Sequence, residues 1–224
     1  KDKKNIEKKL RPIASGKIKI WHAIIISIIS LILGLAISLK LSLMFAILGI
    51  ALFLLSQLYT FKLKNEAFAD ILIISTNFVI RAVAGAFVIT NGLKPYVAVS
   101  PWLILCPFFF ALFLVVIKRR SESFLKKSIE HRPVLKIYNE KTTSALMTIS
   151  TALLIVSYSL YTFFSPYFFL FLTIPFVLYI IFRLFHLTEK GDEKVRHLEL
   201  IYKDIRIVIP TIIIIIIAFL SIYL

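Results

Sequence analysis

Seven apolar stretches dominate the chain, at about Trp21–Leu39, Leu41–Thr60, Asp70–Thr90, Pro101–Ile117, Thr143–Phe164, Pro166–Leu187 and Ile205–Leu224. A bilayer core about 30 Å thick takes roughly 20 helical residues to cross, and each stretch meets that length. Lipid offers no partner for an open backbone N–H or C=O, so a chain of this kind crosses as helices. Charged residues make up only 17% of the 224, too few to cover a soluble domain of this size. The expected fold class is therefore all-α, a polytopic membrane helix bundle with seven transmembrane helices. Turn signals separate the spans, such as Asn91-Gly92 with Pro95, and Ser165-Pro166. The single cysteine, Cys106, permits no internal disulfide.

The net charge of +15 is not spread evenly. Residues 1–20 hold eight Lys/Arg, residues 61–66 hold Lys62 and Lys64, residues 118–141 hold eight and residues 188–206 hold five. The opposite ends of the spans carry only Lys40 and Lys94. The positive-inside rule then predicts a multi-pass protein of the cell membrane, with the N-terminus and the charged loops cytoplasmic and the C-terminus outside. This placement argues for a membrane protein and against a nucleic-acid partner. All 12 acidic residues lie in or beside the same segments, including Asp2, Glu66, Asp70 and Glu122. A membrane anchor needs only cations, so this face reads as a catalytic or binding face. The simpler alternative is that acids avoid lipid and balance nearby lysines.

Three segments carry candidate chemistry. Asn77 and Arg81 follow Asp70 by 7 and 11 positions, which on a helix puts all three within about 20–40° of one line. Arg81 would stand about 16 Å along the axis from Asp70, near mid-membrane, where a cation is costly unless paired or hydrated. It either snorkels or lines a polar cavity that admits an anion such as a lipid phosphate. The small residues Ala82, Ala84, Gly85 and Ala86 suit close packing beside it. The run Lys8-Lys9-Leu-Arg11-Pro12-Ile-Ala-Ser-Gly16-Lys17 is a juxtamembrane anchor for anionic lipid or a phosphate-binding loop. Lys118-Arg119-Arg120-Ser-Glu122 is expected to open the long loop after the fourth span, either as a self-satisfied ion-pair cluster on a helix extension or as phosphate contacts. Tyr138 adds a hydroxyl, and Arg183 with His186 either snorkel or face the site. No spacing supports a Cys/His metal cluster, a nucleotide-phosphate loop or a Ser/His/Asp triad. A metal, if used, would be Mg²⁺ held by carboxylates and ligand phosphates.

Taken in order, several blocks resemble the UbiA-type intramembrane prenyltransferase superfamily, and most of all its decaprenyl-phosphate phosphoribosyltransferase branch. They are Asp2 followed by Lys8-Lys9-Leu-Arg11-Pro-Ile-Ala-Ser-Gly16, then Tyr59-x-Phe-x-Leu-Lys64, Phe78-Val-Ile-Arg81-Ala-Val-Ala-Gly85, Ser100-x-Trp102 and Lys118-Arg119-x-x-Glu122. Weaker echoes are Ile174-Pro175-Phe176 before Arg183, and Asp204 before the last span. The resemblance implies a nine-helix bundle with its polar site open to the cytoplasm. Residues 1–224 would form one domain lacking the first two helices and most of the first Asp-rich motif. Asp2 would be the last aspartate of that motif and a ligand of Mg²⁺.

The resemblance also implies a Mg²⁺-dependent transferase whose partners are a polyprenyl lipid, a diphosphate-containing substrate and the membrane, with a homo-oligomer left open. Prenyl-transferring members carry a second aspartate-rich motif where this chain has Lys118-Arg119-Arg120-Ser-Glu122. That departure favours transfer of 5-phosphoribose from phosphoribosyl diphosphate to a polyprenyl phosphate. The alternative is transfer of an isoprenoid chain from its diphosphate to an aromatic or glycerol-phosphate acceptor. A channel, carrier or structural subunit is the non-enzyme reading. In the favoured reaction Lys8, Lys9, Arg11, Lys64 and Arg119 would neutralise phosphate charge. Asp70 would contact ribose hydroxyls or orient Lys64, and Arg81 would meet a lipid headgroup. Lys17, Tyr59, Asn77, Lys118, Glu122, Tyr138 and Arg183 complete the substrate-binding candidates.

Overall fold

A computed structural model describes residues 12–13, 15–89, 99–124 and 133–223. Among them there is no strand, and seven long helices account for most of the chain: α1 (Ile20–Leu41), α2 (Leu43–Phe61), α3 (Ala69–Ile89), α4 (Pro101–Ser123), α5 (Glu140–Phe164), α6 (Ile174–Glu189) and α7 (Ile205–Tyr223). All seven are long and apolar enough to cross a membrane, α6 together with the 3-10 segment Phe168–Thr173 before it. The expected spans are thus found in their expected places, and the fold class is that of a polytopic helix bundle.

The main departure is at the end of α4. Lys118, Arg119, Arg120 and Glu122 do not open a loop: the helix continues through Ser123 and pairs Arg119 with Glu122, the helix-extension alternative. The edge of an apolar stretch marks where lipid contact stops, not where the helix does. Lys, Arg and Glu are good helix formers, and cations near a helix C-terminus are favoured by its dipole. The sixth span departs too. It opens as a 3-10 segment and becomes α-helical only at Ile174, with Pro175 in the first turn, where its missing N–H costs nothing.

Successive helices pack in chain order, α1 on α2, α2 on α3, α3 on α4 and α4 on α5, while α7 packs on α6 and on the 3-10 segments flanking it. The centre is α4, whose Phe113 and Ile117 are fully buried with Tyr138, Met147, Leu184 and Val195. By contrast α1 and α2 turn almost their whole apolar surface outward, as lipid-facing helices do. Several hydroxyls inside the spans are satisfied by their own helices: Ser56, Ser75 and Thr188 each donate to the carbonyl four residues back. At the end of α6 the chain reverses through Gly191 at φ +64°, and the Gly191 and Asp192 N–H groups close back onto Thr188 and Leu187. That left-handed cap costs a residue with a Cβ more than it costs glycine.

Alternation of the spans gathers one set of ends together. The segment before α1, the α2–α3 turn, the ends of α4 and α6 and the starts of α5 and α7 share one end of the bundle. The Asp70–Arg119, Arg120–Glu189 and Arg183–Asp204 pairs form there.

Candidate active site

The first turn of α3 carries Asp70, a carboxylate that suits a helix N-terminus and is fully buried. A buried charge must be paired and hydrogen-bonded. Arg119, on the last turns of α4 and 3% exposed, donates from Nε to Asp70 Oδ2 at 2.9 Å and from Nη1 to Glu122 Oε2 at 2.7 Å. The second carboxylate oxygen, Oδ1, accepts the hydroxyl of Tyr138 from the turn before α5. Three elements therefore converge on one carboxylate, and Arg119 is shared between it and Glu122, two carboxylates to one cation.

Tyr138 has a second task. Its hydroxyl oxygen accepts the backbone N–H of Phe68 at 2.9 Å, and the two rings meet edge to face at 5.9 Å. Phe68 adopts φ +64°, a left-handed backbone that a bulky residue rarely takes and that costs on the order of 1–3 kcal/mol. Tyr138 thus holds a strained residue in the turn between Lys64 and Asp70. Burial pushes the Tyr138 hydroxyl well above the usual tyrosine range, and the bond to Asp70 adds to that rise. The protonated donor form is the stable one in the fold. Its contribution is fully present below the ordinary tyrosine value of about 10 and is lost as pH rises beyond it. Tyr138→Phe keeps the ring and removes the hydroxyl, leaving Asp70 Oδ1 and the Phe68 N–H short of a partner. We expect a loss of about 1–3 kcal/mol in detergent unfolding, together with disappearance of the alkaline limb.

The three cations at the end of α4 diverge. Residues 100° apart on a helix cannot share one small anion unless the side chains bend towards it. Arg119 points to α3. Arg120, also 3% exposed, reaches the Glu140 carbonyl at 2.9 Å, Thr143 Oγ1 at 3.0 Å and Glu189 Oε2 at 3.0 Å, which ties α4 to the start of α5 and the end of α6. Lys118 is half-buried and lies near Glu199, in the turn before α7. A separate link joins α6 to α7: Arg183 donates to Asp204 Oδ2 from Nη2 at 2.8 Å and from Nε at 3.1 Å, and Lys194 stands 3.7 Å from the same oxygen.

A family model described as the UbiA prenyltransferase family matches residues 1–201. The chain belongs to this family. It is 32% identical over 165 residues to the decaprenyl-phosphate phosphoribosyltransferase of Mycolicibacterium smegmatis, a match covering 72% of this chain and 50% of that protein. Identity to the protein of the same name from Mycobacterium tuberculosis (strain H37Rv) is 27% over 164 residues, covering 72% and 52%. For Corynebacterium glutamicum it is 28% over 173 residues, covering 72% and 48%. The chain spans about half the length of these curated relatives.

In this UbiA-family chain the structure brings together Asp70, Arg119, Glu122 and Tyr138, with Tyr59 close enough to Arg119 to feel its charge. Lys64 is exposed on the 3-10 turn that leads into α3, and Lys17 is exposed before α1. Asn77 is half-buried, with an Oδ1 that has no partner among the described residues. Arg81 is exposed, its guanidinium 5.7 Å from the centre of the Phe78 ring. One helix face is thus closed at Asp70 and open at Arg81. Arg183 belongs to the Asp204 link and not to the Asp70 cluster. Asp2, Lys8, Lys9 and Arg11 lie outside the described residues. Sequence reasoning missed Phe68, which carries no polar signal, and the tie from Arg120 to Glu140 and Glu189. In the sequence Asp204 stands out only as a weak echo, although an acid against an apolar span is a signal that a cation must face it.

No three His, Cys, Asp or Glu side chains among the described residues stand together to hold a metal. Asp70 commits one oxygen to Arg119 and the other to Tyr138. The described residues therefore do not compose a Mg²⁺ site by themselves.

Proposed function

We propose that this chain is part of a membrane transferase that moves 5-phosphoribose from phosphoribosyl diphosphate to a polyprenyl phosphate. One observation carries the reading: the segment where the resemblance puts a second aspartate-rich motif holds Lys118, Arg119 and Arg120 and no aspartate, although Arg119 itself, expected to neutralise phosphate, is taken up by Asp70 and Glu122. A site rich in cations suits substrates that are both phosphates. The names of the relatives support the same reaction class.

A phosphate oxygen of the lipid attacks the anomeric carbon of the ribose, the C–O bond to the diphosphate breaks, and diphosphate leaves with the bonding pair. Catalysis by this chain is then electrostatic, through cations placed before the charge moves. Lys64 and Lys17 neutralise phosphate oxygens at the exposed rim. Asp70, Arg119 and Tyr138 fix the turn that carries Lys64. Arg81, on the open part of the α3 face, meets the lipid headgroup as it enters from the bilayer. The charged end faces the cytoplasm, where a soluble phosphorylated sugar would be met, and the membrane is the cell membrane. Mg²⁺ dependence belongs to the proposal and is assigned to none of the described residues.

The test is turnover of the protein reconstituted in liposomes, with ribose-labelled phosphoribosyl diphosphate and a polyprenyl phosphate. Label should pass into the lipid fraction, stop on chelation of Mg²⁺, and fall about a hundredfold in Lys64→Ala, the scale of losing one preorganised donor. Product formed only from a prenyl diphosphate and an aromatic or glycerol-phosphate acceptor would refute the proposal.

A further inference from the structure

A groove of about 460 Å³ runs between α6 and α7. Pro175, Phe176 and Tyr179 form one wall and Ile205, Ile209 and Pro210 much of the other, with Arg206 as its one charged side chain. This flank is separate from the Asp70 cluster, since α7 packs on α6 and its neighbouring 3-10 segments while Asp70 is enclosed by α3, α4 and the turn before α5.

The charges at the mouth of the groove do not cancel. Asp204 is taken up by Arg183 and Lys194, and Arg206 gives it only a backbone N–H, at 3.1 Å. Arg206 is exposed, and its guanidinium has no hydrogen bond or ion pair among the described residues. One wall is also shaped from within the helix. Pro210 is buried in α7 and has no N–H to give to the Arg206 carbonyl one turn earlier. A long apolar trough with an unpaired guanidinium at its end has the two-part chemistry of a phospholipid, a hydrocarbon tail and a phosphate. A free phosphate would leave the trough unused, and a neutral lipid would leave the arginine unused.

We infer that this groove holds one anionic phospholipid of the surrounding bilayer, its phosphate on Arg206 and an acyl chain along Ile209, Pro210 and Phe176. The inference is independent of the reaction proposed above, because its test reads lipid retention and not turnover. The protein is reconstituted in vesicles of equal parts phosphatidylglycerol and phosphatidylcholine, extracted gently, and weighed with its retained lipids by native mass spectrometry. Wild type should keep one phosphatidylglycerol in preference to phosphatidylcholine by about fivefold, the worth of one surface cation against an anionic lipid. Arg206→Gln should abolish that preference, and Ile209→Trp, which fills the trough, should lower retention of both lipids. Lys141→Gln, an equal loss of charge elsewhere on the charged end, should leave the preference intact. Equal retention of the two lipids by wild type, or an unchanged preference in Arg206→Gln, would overturn the inference. So would displacement of the bound phosphatidylglycerol by polyprenyl phosphate, which would make the groove a substrate site.

Discussion

Asp70→Asn should lower stability by about 3 kcal/mol or more and abolish turnover, the largest effect expected of any single substitution in the chain. The side chain keeps its shape, so the loss is one of charge and hydrogen bonding. Arg119, 3% exposed, would face a neutral amide and keep only Glu122 as counter-charge. Breaking one side of a buried ion pair costs about 3–5 kcal/mol where the remaining charge is left uncompensated, and the Glu122 partner holds the loss here to the lower end of that range. The Tyr138 hydroxyl loses its anionic acceptor in the same step, and the strained turn at Phe68 loses part of its restraint. Unfolding in mild detergent measures the first effect and label transfer the second. A double variant, Asp70→Asn with Arg119→Met, should recover part of the stability and none of the activity. Full stability in Asp70→Asn alone would mean that the cluster contributes little to holding α3 on α4.

The second large effect is expected at the other buried pair. Arg183→Met should destabilise the α6–α7 contact by about 3 kcal/mol, since Asp204 is 4% exposed and would keep only Lys194 and the Arg206 N–H. This substitution should also change the response to acid. Burial alone would raise the Asp204 carboxyl, but the hydrogen bonds from Arg183, the Arg206 N–H and the charges of Arg183 and Lys194 hold it below the usual aspartate range. A carboxyl depressed in the fold stabilises above its unfolded value, about 3.9, and that stability is lost as pH falls through the folded value. Wild type should therefore show an acid limb that is diminished in Arg183→Met, where burial is opposed by fewer partners. Thermal midpoints across acid pH in detergent read this out. Parallel curves for the two proteins would count against Arg183 as the group that holds Asp204 ionised.

Both effects concern ion pairs that join residues far apart in the chain, and their legibility in the sequence differs from that of the helices. The positions of the spans are a local matter. Each depends on about 20 adjacent residues being apolar enough for lipid, and the observed helices fall where that condition is met. The end of α4 is less legible because hydropathy reports the lipid boundary, while the helix follows propensity and dipole for two further turns. That difference changes the chemistry. Read as a loop, Lys118, Arg119 and Arg120 could all turn to one phosphate; on a helix Arg119 turns to Asp70 and Arg120 to Glu140 and Glu189.

The face shared by Asp70, Asn77 and Arg81 shows the same limit. Helical spacing places the three in line, and it does so correctly. It says nothing of what covers the line, which is closed by Arg119 and Tyr138 at one end and open at Arg81. Phe68 is the extreme case, an apolar residue whose role rests on a positive φ and a backbone N–H that Tyr138 holds from seventy residues away.

The sequence by itself determined that the chain crosses a membrane, how many of its segments are long enough to do so, which of their ends share the charge, and which acidic and basic residues stand at those ends. These follow from hydropathy, spacing and the cost of charge in lipid, all of which act along the chain. Only the tertiary structure decided which cation meets which carboxylate, that Arg119 serves Asp70, and that Arg206, unpaired among the described residues, stands beside an apolar groove. Pairing depends on the rotation and reach of helices packed from distant parts of the chain, and a residue's neighbours in sequence do not fix either.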